Sequence, residues 1–247
     1  MKQFIGIIPA RYASTRFPGK PLAMINGMTM IERVFRQIEN VLDNVMVATD
    51  DRRIFDVVTG FGGRVVMTSE NHKSGTDRCY EAYLKTGKEY DVIVNVQGDE
   101  PFIQPEQIET LKACFEDNST QIATLVKPFN ENDGPDALEN PNSPKVVVDK
   151  NRYALYFSRS VIPYLRGIEK SDRLKHHVYY KHIGLYAYRP DILKEITALP
   201  QSSLEIAESL EQLRWLEAGY RIKVGVTRIE SIGIDTPEDL EKLRVKS

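Results

Sequence analysis

The fold class this sequence predicts is α/β: a mostly parallel sheet with helices on both faces, forming a single three-layer sandwich. Three observations lead there. Apolar, β-rich runs at residues 4–8, 45–49, 65–67 and 92–96 each precede a stretch with helical spacing. The loops leaving those runs are polar and rich in Gly, Pro and Asp. Across 247 residues no repeat, low-complexity tract or flexible linker interrupts the alternation, so residues 1–247 read as one domain.

Taken in order, residues 4–8 are a buried first strand. The chain then enters Pro9-Ala10-Arg11-Tyr12-Ala13-Ser14-Thr15-Arg16-Phe17-Pro18-Gly19-Lys20-Pro21-Leu22, a loop with three cations, two hydroxyls and three prolines. A helix follows, with Ile31, Val34, Phe35 and Ile38 on one face. The second strand ends at Thr49-Asp50-Asp51, and the next helix carries Ile54, Val57 and Val58. Gly60-Phe61-Gly62-Gly63 reads as its C-cap and turn; the glycines follow a helix and lack dinucleotide-fingerprint spacing. After the strand at 65–67, Ser74-Gly75-Thr76-Asp77-Arg78 opens a helix through Cys79, Ala82 and Tyr83. The apolar strand at 92–96 runs into Gln97-Gly98-Asp99-Glu100-Pro101.

The middle changes character. Residues 130–144 are rich in Asn, Asp, Gly and Pro and predict an irregular excursion. Residues 146–157 read as two strands joined by a polar turn, and 179–188 as an aromatic-rich strand. Those tyrosines suit a core, a sugar pocket or a subunit contact. Helical spacing returns at 192–196 and at 204–216, where Ile206, Leu210, Leu213 and Leu216 mark one helix. A strand at 222–226 precedes a last helix, with Thr236 as N-cap and Pro237 at its first position.

Composition excludes several function classes. A formal charge of -2 leaves no electrostatic footprint for nucleic acid. No apolar run approaches the length that spans a bilayer, and the start has no signal-peptide pattern. Cys79 and Cys114 read as isolated buried thiols, which suits a reducing cytoplasm. His72, His176, His177 and His182 show no zinc spacing, and no G-x-S-x-G elbow is present.

Four constellations carry chemistry. Arg11, Arg16 and Lys20 in the first loop suit a polyphosphate, because guanidinium forks match phosphate oxygens and lysine adds a point charge. A solvated basic turn is the plainer alternative, and a Walker A loop is excluded because Pro21 follows Gly19-Lys20. Asp99, just past a strand end, suits Mg²⁺ or else caps the helix near Pro105. Asp235, in the turn Gly233-Ile234-Asp235-Thr236-Pro237, is either a second metal carboxylate or an extra cap. Ser74 to Arg78 suits a base or phosphate held by backbone N–H groups, or is an ordinary N-cap turn.

With these residues assembled, the chain resembles the 3-deoxy-manno-octulosonate (Kdo) cytidylyltransferases almost end to end. Further matches are Tyr156-Phe157-Ser158-Arg159, His182-Ile183-Gly184-Leu185-Tyr186 and Leu210-Glu211-Gln212-Leu213-Arg214. The resemblance implies a Rossmann-like nucleotidyltransferase sheet with a small antiparallel dimerisation element, and residues 145–190 as sugar-side and dimerisation subregion. It implies transfer of CMP from CTP to Kdo, with pyrophosphate released, for lipopolysaccharide biosynthesis by a cytoplasmic homodimer. By the same resemblance Arg11, Ser14, Arg16 and Lys20 meet the CTP phosphates, and Ser74, Asp77, Arg78 and Gln97 the cytidine. Asp99 and Asp235 hold Mg²⁺, and Arg11, Lys20, Asp99 and Asp235 form the catalytic set. Arg159, His182, Tyr186, Glu211 and Gln212 receive Kdo, with Arg159 on its carboxylate. Residues 166–177 match no motif. The competing functions are a cytidylyltransferase for another sugar acid and a non-catalytic nucleotide-binding regulator.

Overall fold

The computed structural model describes residues 2–13, 17–230, 233–234 and 236–244. They fall into two compact units. The first comprises Met1–Glu109, Ala187–Thr197 and Ser231–Ser247, and the second Thr110–Tyr186 and Ala198–Glu230. The subregion expected at 145–190 lies mostly within the second.

In chain order the first unit begins with β1 (Phe4–Ala10), the hairpin β2 (Met24–Ile25) and β3 (Met28–Thr29), α1 (Met30–Glu39) and β4 (Val45–Thr49). There follow α2 (Arg52–Gly60), β5 (Val65–Met67), α3 (Gly75–Lys85), β6 (Val92–Asn95) and α4 (Pro105–Ala113), which runs into the second unit. Strands β6, β1, β4 and β5 lie side by side in that order. β1 is parallel to both neighbours, with Ile8 opposite Val47 and Ile5 opposite Ile93. Both faces of these strands are buried, which is why they read as continuous apolar runs. Thr29 caps α1 by accepting from the Glu32 amide, and Ile31, Val34, Phe35 and Ile38 are buried as the spacing predicts. The chain steps from β1 outward to β4 and β5, then returns to β6 on the other side. That reversal puts a topological switch point between the carboxyl ends of β1 and β6, where open α/β sheets bind their ligands.

The second unit holds β7 (Ile122–Pro128), α5 (Gly134–Glu139), β8 (Lys145–Val148), β9 (Ala154–Ser158) and α6 (Arg173–His176). β10 (Tyr180–Tyr188) carries the chain into the first unit, whose α7 (Pro190–Thr197) follows it. The chain then returns to the second unit for α8 (Ser203–Glu208), α9 (Gln212–Glu217) and β11 (Ile222–Val226), and ends in the first with α10 (Pro237–Arg244). Strands β11 and β7 pair in parallel, whereas β8 pairs antiparallel with both β10 and β9. Asp149 makes the β8–β9 turn by accepting from the Asn151 and Tyr153 amides. Through β10 these strands belong to one nine-stranded sheet, flanked by helices.

The structure departs from the sequence reading in three places. The single helix expected over 204–216 is two helices, broken at Ser209, whose φ of 51° is left-handed. Ile206 is consequently exposed rather than part of the apolar face. The irregular excursion at 130–144 contains α5, and the loop before α1 contains the β2–β3 hairpin. Cys79 and Cys114 are buried thiols, as expected, and burial pushes the Cys114 thiol up to about 11.

Candidate active site

At the switch point the first unit has a cavity of about 230 Å³, bordered by Arg11, Lys20, Ser74, Arg78, Gln97 and Asp99 among others. Local geometry explains why these residues meet there. Gly98 passes so close beneath β1 that a Cβ on it would stand 3.0 Å from the Pro9 carbonyl oxygen. The first loop is cinched at its base, where the Gly19 amide donates to the Tyr12 carbonyl at 2.9 Å. Gly19 has a φ of 71°, and a Cβ there would meet the Tyr12 ring at 3.0 Å, so glycine is required. The Arg53 guanidinium lies over that ring, 3.3 Å from its centroid.

The cavity has a charged floor. Lys20 Nζ donates to Asp99 Oδ2 at 2.6 Å and to the Ile234 carbonyl at 2.9 Å. The Ile234 amide in turn donates to the Asp99 carbonyl at 3.0 Å. Ile234 also packs with Ile25, Met30 and Leu240, which ties the start of α10 to the hairpin. The carboxylate of Asp99 therefore points at the cavity and an ammonium, and does not cap α4, where Gln107 accepts from the Gln104 amide instead. Ser14, Arg16 and Asp235 lie outside the described residues. Thr236 and Asp239 form a reciprocal capping pair, which fills the helix-capping task without Asp235.

Three of the residues expected on the cytidine side have structural partners. Ser74 caps α3 by accepting from the Asp77 amide, and the Asp77 carboxylate reaches back to the Ser74 amide. Ser74 and Gly75 border the cavity, whereas Asp77 serves the cap. Arg78 is 4% exposed; it donates to Asp50 Oδ2 at 2.5 Å and Thr68 Oγ1 at 2.6 Å, bracing the ends of β4 and β5. His72, which also borders the cavity, contacts Glu81. Glu81 additionally accepts from the Ser69 amide and pairs with Lys85, and its carboxyl sits at about 2. Neither Asp50 nor Glu81 was singled out in the sequence, because both act through partners that only the tertiary fold brings near.

The second unit gathers most of the residues expected to receive a sugar acid. The His182 ring lies 5.1 Å from Phe157 and 5.4 Å from Tyr186, and Tyr186 meets Trp215 edge-on at 5.2 Å. Burial pushes the His182 imidazole down to about 3, so it is neutral, with Nε2 at 3.1 Å from Thr124 Oγ1. Burial, reinforced by Glu211, holds the Tyr186 phenol well above its ordinary value. Gln212 is 4% exposed, and its Nε2 has no acceptor among the described residues, which fits a donor waiting for a ligand oxygen. Glu211 accepts from Arg214 at 2.9 Å. Arg159 also braces the fold: it donates to the carbonyls of Glu208, Ser209 and Pro141, while Glu208 accepts from its amide. The break at Ser209 leaves the last carbonyls of α8 without helical partners, and Arg159 supplies donors for them.

Residues 5–224 match the cytidylyltransferase family. A 3-deoxy-manno-octulosonate cytidylyltransferase from Phocaeicola vulgatus is 70% identical over 240 residues, covering 97% of this chain and 95% of that protein. Its namesake from Parabacteroides distasonis is 69% identical, with 98% and 97% covered. The chain belongs to the 3-deoxy-manno-octulosonate cytidylyltransferase family. Among solved structures, a CMP:2-keto-3-deoxy-manno-octonic acid synthetase complexed with CTP is 42% identical, with a TM-score of 0.89 over 99% of this chain and 98% of that one.

In this 3-deoxy-manno-octulosonate cytidylyltransferase family member, no three His, Cys, Asp or Glu residues gather into a metal cage among the described residues. Mg²⁺ does not need one, since it takes one or two carboxylates and fills its octahedron with phosphate oxygens and water. Asp99 fits that role: its carboxylate borders the cavity and already holds a cation, the Lys20 ammonium. No helix among the described residues is long and apolar enough to cross a membrane.

Proposed function

We propose that this protein transfers CMP from CTP to Kdo with release of pyrophosphate, using the first unit's cavity for the nucleotide. The observation that carries the reading is near-full-length identity of about 70% to relatives named for that activity. The cavity supports it, with cations and a carboxylate at the switch point between β1 and β6.

Arg11, Ser14, Arg16 and Lys20 bind the triphosphate, and Ser74, Gln97 and the start of α3 face the cytidine. Asp77 and Arg78 serve that side by holding the α3 terminus and the ends of β4 and β5. The reaction is in-line attack by the anomeric hydroxyl of Kdo on the α-phosphorus, so positioning and charge neutralisation supply most of the catalysis. Asp99 and Asp235 would hold Mg²⁺, which would supply Lewis-acid neutralisation of phosphate charge. Lys20 and the loop amides offset charge on the departing pyrophosphate.

On the acceptor side, the rings of His182 and Tyr186 offer an apolar wall. Gln212, Glu211 and Arg159 recognise the hydroxyls and carboxylate of Kdo. The product serves lipopolysaccharide biosynthesis in the cytoplasm. The protein works as a homodimer, a reading supported by Leu155 standing 60% exposed on β9, whose sheet partner is β8.

A panel of sugar acids with CTP and Mg²⁺, read by pyrophosphate release, tests the reading. Turnover with Kdo well above the others is expected. Preference for another sugar acid overturns the acceptor, and CTP binding without pyrophosphate release across the panel overturns the enzyme.

A further inference from the structure

We infer that Lys20 is a placeholder for the metal ion: in the nucleotide-free protein its ammonium occupies the cation position on Asp99, and CTP draws it away. The inference rests on the reading of Asp99 as a metal carboxylate and adds an order of events to it. The contact between Lys20 Nζ and Asp99 Oδ2 is 2.6 Å, with the lysine side chain 13% exposed and the carboxylate 33% exposed. The ammonium is held in place by the Ile234 carbonyl at 2.9 Å, and Gly19 and Pro21 fix the backbone on either side of it.

A second cation approaching Asp99 Oδ2 would meet this ammonium at a few ångströms in a partly buried setting. Like charges at that distance repel strongly when water screens them poorly. Loading a divalent ion on the free protein therefore requires displacing Lys20 from its carboxylate, with nothing offered in return. A triphosphate changes that balance in two ways. It gives the ammonium several anionic oxygens to move to, and it brings the oxygens that fill the metal's remaining positions. Nucleotide and metal thus bind with positive coupling, and thermodynamic linkage makes the effect mutual.

The test is Mn²⁺ binding to the nucleotide-free protein, followed by the electron paramagnetic resonance of the unbound ion, with no turnover involved. Lys20→Met is expected to bind Mn²⁺ at least about fivefold more tightly than the unsubstituted protein, the lower range of ordinary coupling. Adding Asp99→Asn to Lys20→Met is expected to abolish the gain. Equal Mn²⁺ affinity in the unsubstituted protein and Lys20→Met overturns the placeholder, whatever the enzyme's activity. A gain that survives Asp99→Asn overturns the metal assignment itself, so the two failures are distinguishable. Lys20→Gln, which removes the charge but keeps a donor, makes the same comparison if the methionine variant does not fold.

Discussion

Three backbone carbonyls, those of Pro141, Glu208 and Ser209, take the N–H groups of Arg159. Arg159→Ala is therefore expected to weaken Kdo and also to destabilise the protein by about 1 kcal/mol, since partly exposed carbonyls lose their donors. Denaturant unfolding and the KM for Kdo measure the two effects; an unchanged Kdo KM removes Arg159 from the acceptor site. His182 has a different signature. Its imidazole is held near 3 when folded against 6.5 when unfolded, so the folded protein binds fewer protons between those values. Its contribution to stability is complete above about pH 6.5 and is lost as pH falls toward 3, on the order of 2 kcal/mol by pH 5. Urea midpoints should therefore drop between about pH 7 and 5 in the unsubstituted protein and drop less in His182→Gln; parallel curves would reject the assignment. At this scale the sequence showed which residue types collect near strand ends, including Lys20 and Asp99. It did not show that Arg78 is spent on Asp50 or Arg159 on α8, because those partners lie far away along the chain.

Elements with strong periodicity or a capping pattern were legible: the buried stripe of α1, the apolar central strands and the Ser74–Asp77 capping box all follow from local rules. The hairpin β2–β3 was not, since two-residue strands are too short to show alternation. The break between α8 and α9 was hidden because apolar spacing continues through Leu210, Leu213 and Leu216 while Ser209 turns left-handed. The α3 cap offers a test of how an element serves the site. Ser74→Ala should cost about 1 kcal/mol of stability through loss of the N-cap. Because Ser74 also borders the cavity, the KM for CTP should rise while that for Kdo holds. Thermal unfolding with both KM values checks this, and an equal rise in the two would place the effect in the fold rather than the nucleotide site.

At the scale of the whole molecule, the mostly parallel, helix-flanked sheet follows from alternation of strands and helices, whereas the strand order that makes the switch point does not. The division into two units did not, because no linker-like composition marks residue 110 or 187. Assembly can be tested on the β9 edge. Leu155→Asp places a charge where the proposed homodimer would bury an apolar side chain, and light scattering should then show the monomer mass with thermal stability nearly unchanged. A dimer that persists at low concentration would move the subunit contact away from β9.

The bond from Lys20 to Ile234 joins positions 214 residues apart. A ribosome delivers the chain N-terminus first, at roughly 5–20 residues per second, and the first unit's strands through β6 emerge well before Ile234 does. Those strands can pair while translation continues, yet Asp99 has no Ile234 amide to hold it until the C-terminal segment is released. Loop closure over that span comes late, since long-range contacts repay their entropy only after the shorter ones form. A chain without Ile234 would thus build much of the sheet and still lack the contacts that hold the Asp99 carbonyl and the Lys20 ammonium. The charged floor around Lys20 and Asp99 is thus completed by a contact made 214 residues further along the chain.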